Sequence, residues 1–170
     1  MASQPQPVKS LKELAAAAVA KIELEQKSDL QVIDDLREFV NVVKVEVKKQ
    51  LDAKGAVKET DAAKAVNVYK QTLQLLDKRT NSWTARVDEM RRIAPQVKSD
   101  PAAAATWSKI KEKAEQSAAK YNALDTALKA LQKDLQKAPN MQKMISCTTL
   151  ISKVMYLREK ITEAQRALLP

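Results

Sequence analysis

Glycine is almost absent from this chain: Gly55 is the only glycine among 170 residues, and there are six prolines. Glycine and proline supply most tight turns, so little material exists for joining short β-strands. Alanine, leucine, lysine, glutamine and glutamate, which are strong helix formers, recur throughout. The sequence therefore predicts an all-α fold, and its length suits one domain.

Apolar residues recur at alternating spacings of three and four in three long segments. The first runs from Ala62 to Ala94, the second from Ala103 to Leu135, and the third from Cys147 to Leu168. A period near 3.5 residues predicts long helices with coiled-coil-like packing. Trp83 and Trp107 fall in this spacing, so we interpret both as core residues.

Prolines and capping residues predict where these helices begin and end. Pro95 should end the second helix, because the residue before a proline avoids the helical region. Asp100 followed by Pro101 is typical of a helix start. Pro139 should end the third helix, and Asn140 should cap the last one.

A capping box of the form S-x-x-E at Ser10 marks the start of the first helix. Its apolar spacing is interrupted at Gln26 and Asp29, beside a second such box at Ser28. The sequence therefore predicts either two helices or one helix kinked near Lys27. In both cases Gly55 should end the segment.

These elements predict a disordered tail at residues 1–8 and a single helical domain over 9–170. Short connections favour antiparallel neighbours, so we expect an elongated up-down-up-down four-helix bundle.

The composition excludes much catalytic chemistry. The chain has no histidine and a single cysteine, Cys147. It therefore lacks imidazole for proton transfer and a Cys/His set for a metal. Asp29 is the only acidic residue that we place at an inward position. We predict no enzyme, no cofactor, no metal and no small-molecule substrate. One free thiol and no recognisable targeting segment favour the cytoplasm, and Cys147 is predicted to be a buried apolar residue.

The first helix has a wider apolar face than one stripe requires. Val32, Phe39 and Val42 lie beside its main apolar spacing, as do Val45 and Leu51. This extra face could pack against the Leu11 to Ile22 segment folding back, or contact another subunit. We select Phe39, Val32 and Val42 as candidate partner-binding residues.

The net charge is +9, and the predicted topology concentrates cations at one end. The C-termini of the second and last helices would meet the N-terminus of the third there. The candidate anion-binding residues are Arg86, Arg91, Arg92, Lys98, Lys109, Lys113 and Arg158. The alternative is a solvated face that complements helix dipoles. Nucleic acid is less favoured, because the aromatic residues lie at apolar positions away from these cations.

Two functions remain open from the sequence. The favoured hypothesis is a non-enzymatic helical scaffold or adaptor in a cytoskeletal or multisubunit assembly, with other proteins or a second copy of the chain as partners. The alternative is a basic protein that binds an anionic surface, either acidic membrane or nucleic acid.

Overall fold

The computed structural model describes residues 10–52, 59–97 and 99–168, although the side chains of 59–62 and 168 are not part of that description. It contains helices α1 (Leu11–Asp52), α2 (Glu59–Val97), α3 (Pro101–Gln136), α4 (Pro139–Met144) and α5 (Cys147–Leu168). No strand occurs in the described ranges, so the all-α prediction is confirmed. The predicted tail at 1–8, Gly55 and Lys98 lie outside the described residues.

Helix α1 runs without a break through the position where the sequence predicts a split. The N-terminal capping prediction is confirmed on its serine side, since Ser10 Oγ accepts from the backbone N–H of Glu13 at 3.2 Å. The interrupting residues are accommodated by other helices: Gln26 donates to Gln116 at 2.7 Å, and Asp29 accepts from three side chains. Hydrogen bonds to side chains of α2 and α3 therefore replace the missing apolar contacts, and α1 continues without a break.

Two other predicted boundaries are wrong. Helix α2 passes through Pro95 and ends two residues later, at Val97. Proline gives up one backbone hydrogen bond and crowds the carbonyl four residues earlier, so the helix ends soon after it although its fixed φ suits a helix. Asn140 does not cap the last helix, because Pro139 starts the short helix α4. Ser146 stands before α5 instead, and its Oγ accepts from the backbone N–H of Thr149 at 3.2 Å.

The start of α3 is as predicted. The Asp100 side chain accepts from the backbone N–H of Ala102 at 3.1 Å, and Pro101 is the first helical residue. Because a proline lacks only an N–H that would be unpaired there, this pair begins a helix at low cost.

Each long helix packs along two of the other three. Helix α1 lies against α2 and α3, and α5 lies against the same two helices. Helices α2 and α3 contact each other only marginally, although residues 98–100 alone connect them. Consecutive helices therefore pack side by side for α1 with α2 and for α3 with α5, whereas α2 and α3 have only a marginal contact.

Pairs of contacting side chains give the helix directions. Contacts of α1 with α2 move backwards along α2 as they move forwards along α1, so these helices are antiparallel, and α3 with α5 behaves likewise. Helix α1 is parallel to α3, and α2 is parallel to α5. The pairs are Lys21–Glu89 and Asp29–Arg79 for α1 with α2, and Gln132–Thr148 and Asp125–Arg158 for α3 with α5. They are Gln26–Gln116 and Asp29–Tyr121 for α1 with α3, and Asp77–Lys153 and Arg91–Glu163 for α2 with α5.

One continuous apolar core runs between these helices. All ten predicted inward positions of α3 are buried, from Ala103 through Trp107 to Leu135. In the first half of α2 the predicted position Leu76 is buried, but Ala65 and Thr72 are buried in place of the predicted Val66 and Leu73, which are half-buried. Among the described residues, no helix has a stretch that is both long and apolar enough to traverse a membrane.

Candidate functional site

A buried carboxylate, that of Asp29, lies in the middle of α1 and is 1% exposed. It accepts three hydrogen bonds from two other helices. Arg79 Nε donates to Oδ1 at 2.9 Å, Trp83 Nε1 donates to Oδ2 at 3.0 Å, and the Tyr121 hydroxyl donates to Oδ1 at 2.6 Å. The polar interruption in α1 is therefore the point at which α1, α2 and α3 are joined.

A second buried carboxylate, that of Glu25, lies one turn earlier on α1. It contacts the Arg79 guanidinium and the Ser82 hydroxyl, and its backbone carbonyl accepts from Arg79 Nη2 at 3.2 Å. The sequence prediction that Asp29 is the only inward acid is therefore wrong. Arg79 bridges both carboxylates, which suits the planar fork of donors that arginine presents.

The ion pairs continue from Glu25 toward the surface. Arg86 Nε lies 3.8 Å from Glu25 Oε1, and Arg86 Nη1 donates to Glu89 at 2.8 Å. Lys21, which lies on α1, also donates to Glu89 on α2, at 2.7 Å. We call this set the charge network: Lys21, Glu25, Asp29, Arg79, Arg86 and Glu89. Three acids and three bases balance, so the network is electrically neutral.

Burial sets the protonation chemistry at the inner end of the charge network. It raises the pKa of Asp29, while the charge of Arg79 and the hydrogen bonds from Tyr121, Arg79 and Trp83 lower it. Desolvation acts to lower the pKa of Arg79, but the charges of Asp29 and Glu25 outweigh it and the pKa rises. Burial also raises the pKa of Tyr121, which keeps its hydroxyl a neutral donor. The ionised Asp29 carboxylate therefore depends on Arg79.

The charge network has almost no room for a substrate. A cavity at its outer end, lined in part by Lys21, Arg86 and Glu89, has a volume of about 10 Å³, which is the space of a single water at most. In the described part of the chain, no three His, Cys, Asp or Glu side chains come together as a possible metal site. The geometry of the charge network instead holds α1, α2 and α3 in register.

The predicted partner-binding residues lie mainly in the core. Phe39 is completely buried, and its ring centroid lies 6.3 Å from that of Tyr69 on α2. Val32 is also buried, and Val42 packs against the core. The structure places these side chains against other helices of the same chain, because α1 packs against both α2 and α3 and therefore needs two apolar stripes. Val45 and Leu51, farther along α1, remain exposed.

The predicted anion-binding residues are largely paired with acids. Helix directions place them at one end, but half-buried Arg86 binds Glu89. Exposed Arg92 and Lys109 have no carboxylate within 4.0 Å among the described residues, and Lys98 lies outside them. The remaining pairs are Arg91 with Glu163 at 3.5 Å, Lys113 with Glu23 at 3.5 Å and Arg158 with Asp125 at 3.9 Å. Most of this predicted surface is therefore charge-compensated.

The tryptophans and the cysteine are buried, as predicted. Trp83 also serves the charge network, whereas Trp107 Nε1 has no hydrogen-bond partner in the described residues. Burial raises the pKa of Cys147 to about 11, so its thiol is a weak nucleophile near neutral pH.

Sequence reasoning missed Arg79, Glu25 and the inward hydroxyl of Tyr121. One signal was available: Glu25 and Asp29 are four residues apart, so they share a helix face at the point where the apolar spacing of α1 fails. A counterion for that face had to come from another helix, and the sequence alone does not identify it.

Comparison of the chain with protein-family models, curated proteins and solved structures finds no match.

Proposed function

We propose that this protein is a non-enzymatic helical scaffold or adaptor that holds protein partners in a cytoskeletal or multisubunit assembly. Its four long helices would act as an elongated up-down-up-down bundle with coiled-coil-like packing. In this proposal the partners bind the outward faces of the helices, and the interior only maintains the shape.

The observation that carries the proposal is that the buried charged side chains bind one another across the helices. Glu25, Asp29 and Arg79 are chemically capable side chains, but they are buried and pair with one another across helices. Such a network specifies how helices meet. A chain whose buried charges fix how its helices pack against one another is suited to presenting a defined surface.

Exposed apolar side chains on two outward faces support protein contacts. Leu24 and Leu30 are exposed on α1, and Met155 and Tyr156 are exposed on α5. Helices α1 and α5 are not packing neighbours, so the two pairs form separate surfaces. Apolar and aromatic side chains of this kind commonly anchor interfaces.

The test is affinity capture from native extract under cross-linking, followed by mass spectrometry and reconstitution with the purified partner. Two variants that spare the core test the two surfaces, and each is the control for the other: Leu24→Ser with Leu30→Ser, and Met155→Ser with Tyr156→Ser. We expect one of them to weaken the reconstituted complex at least tenfold. A wild-type chain that stays monomeric by light scattering and retains no protein above background would contradict the proposal.

A further inference from the structure

The excess positive charge is concentrated at the end opposite to the one predicted. Helices α1 and α3 finish there, and α2 and α5 begin there. The described residues 41–52, 63–75 and 126–156 contain ten lysines, no arginine and three acids, a net charge of +7. At the other end, residues 11–27, 86–97, 99–113 and 157–167 contain twelve bases and nine acids, a net charge of +3.

Five lysines at this end form what we call the lysine face: Lys44 and Lys48 on α1, Lys133 and Lys137 on α3, and Lys143 on α4. All five are exposed, and none has a carboxylate within 4.0 Å among the described residues. Of the other described lysines at this end, Lys49 pairs with Glu46 at 3.4 Å, Lys129 with Asp125 at 3.0 Å and Lys153 with Asp77 at 2.6 Å. Lys64 and Lys70 on α2 are exposed and also have no carboxylate within 4.0 Å among the described residues. The acids Asp52 and Asp134 lie nearby and reduce the charge without cancelling it.

The parallel arrangement of α1 and α3 brings Lys44 of α1 level with Lys133 and Lys137 of α3. Gln26 bonds to Gln116, ninety residues later, so it marks the edge of α1 that faces α3. Lys44 follows Gln26 by eighteen residues, which is five turns of a helix, so it lies on the same edge. The same ninety-residue offset sets Lys44 level with the α3 turn that carries Lys133 and Lys137.

Apolar side chains emerge among these cations. Leu51 lies about seven turns after Gln26, on the same edge of α1, and is 47% exposed. Its level along the bundle corresponds to α4, where Met144 is 42% exposed. The lysine face thus carries exposed apolar side chains at the same level as its charges.

We propose that the lysine face docks this protein onto an acidic lipid bilayer, with the lysines over anionic headgroups and Leu51 and Met144 entering the interface. Recognition of a single carboxylate or phosphate favours the arginine fork, and this end has none. The spread charge of a bilayer requires only nearby cations, and exposed apolar residues add to such binding. This inference stands independently of the scaffold proposal.

Positive charge by itself attracts more than one class of partner. An acidic protein segment or a nucleic acid would also be attracted to lysines. Neither Leu51 nor Met144 is aromatic, so the apolar side chains provide no stacking surface for bases. Insertion of Leu51 and Met144 among lipid headgroups accounts for both the charge and the exposed apolar side chains of the lysine face. The experiment therefore includes an acidic peptide and a nucleic acid as competing partners.

The experiment is sedimentation with vesicles of phosphatidylcholine containing 30% phosphatidylserine, and with phosphatidylcholine alone, at low and high salt. We expect binding only to the acidic vesicles, weakening steeply as salt rises. The triple variant Lys133→Gln/Lys137→Gln/Lys143→Gln should bind about a hundredfold less tightly, at about fivefold per lysine. The variant Leu51→Ser/Met144→Ser should also weaken binding while keeping its salt dependence.

A matched triple variant, Arg91→Gln/Arg92→Gln/Lys109→Gln, removes the same charge from the opposite end and should keep most of the binding. Circular dichroism confirms that each variant stays folded. Absent binding to acidic vesicles at low salt, or equal loss in the two triple variants, would overturn the proposal. Tighter binding to duplex DNA or to a polyglutamate peptide than to acidic vesicles would overturn it as well.

Discussion

Replacing Arg79 with methionine should strongly destabilise the fold. Methionine keeps much of the volume but removes the guanidinium that bridges Glu25 and Asp29. Both carboxylates then remain buried without a counterion beside them, a change that typically costs about 3–5 kcal/mol. For a chain of this size the melting temperature should fall by about 6–20 °C. Urea unfolding followed by circular dichroism measures the loss directly.

A second substitution tests whether the loss comes from unpaired charge. In the Arg79→Met background, Asp29→Asn removes one of the stranded charges, so the double variant should regain about 2 kcal/mol. Because burial already raises the pKa of Asp29, the folded single variant should take up protons before the unfolded chain does. Its deficit should therefore shrink as the pH falls from 7 toward 4.

The control is Arg91→Met, which breaks the ion pair with Glu163 at 3.5 Å on the surface. An exposed pair of this kind contributes less than about 1 kcal/mol. If Arg79→Met costs no more than this control, or if Asp29→Asn adds to its cost instead of relieving it, the reasoning about the charge network fails.

Three further predictions concern single side chains. Because the pKa of Cys147 rises from 9.0 to about 11, the folded thiol keeps its proton where the unfolded one loses it. Wild-type stability should fall by roughly 2 kcal/mol between pH 9 and 11 relative to Cys147→Ala, and equal slopes in urea unfolding would refute this. Phe39→Ala should cost about 3–5 kcal/mol in the same assay, whereas Val45→Ala on the exposed side should change stability by less than about 0.5 kcal/mol; similar losses would show that Phe39 is not a core residue. Asp100→Ala should cost about 1 kcal/mol through the lost helix cap, and a loss no larger than that of Asp88→Ala in mid-helix would argue against that cap.

Local chemistry explains which parts of the fold were predictable from the sequence. The buried positions of α3 follow from spacing alone, and the start of α3 follows from Asp100 and Pro101, because neighbouring residues determine both. The end of α2 and the short helix α4 were missed, since Pro95 and Pro139 are each compatible with the turn in which they lie. Proline restricts a helix without fixing which residue ends it.

The candidate sites were harder to predict because they depend on which helices are neighbours. Phe39 looked like a surplus apolar residue only because the sequence does not reveal that α1 has two packing partners. Asp29 and Arg79 are fifty residues apart, and no local pattern links them. The location of uncompensated lysines likewise depends on which acids reach which bases, a property of the folded arrangement.

The marginal contact between α2 and α3 has a consequence for how the chain reaches its fold. The molecule consists of two helical hairpins, α1 with α2 and α3 with α5, each made from contiguous sequence. Within a hairpin the contacts that close first join residues on either side of a short connection, so ordering them costs little chain entropy. We therefore expect the slower step to be the docking of one hairpin on the other, which would appear as the rate-limiting phase in refolding kinetics. The Asp29 to Tyr121 hydrogen bond belongs to that step alone.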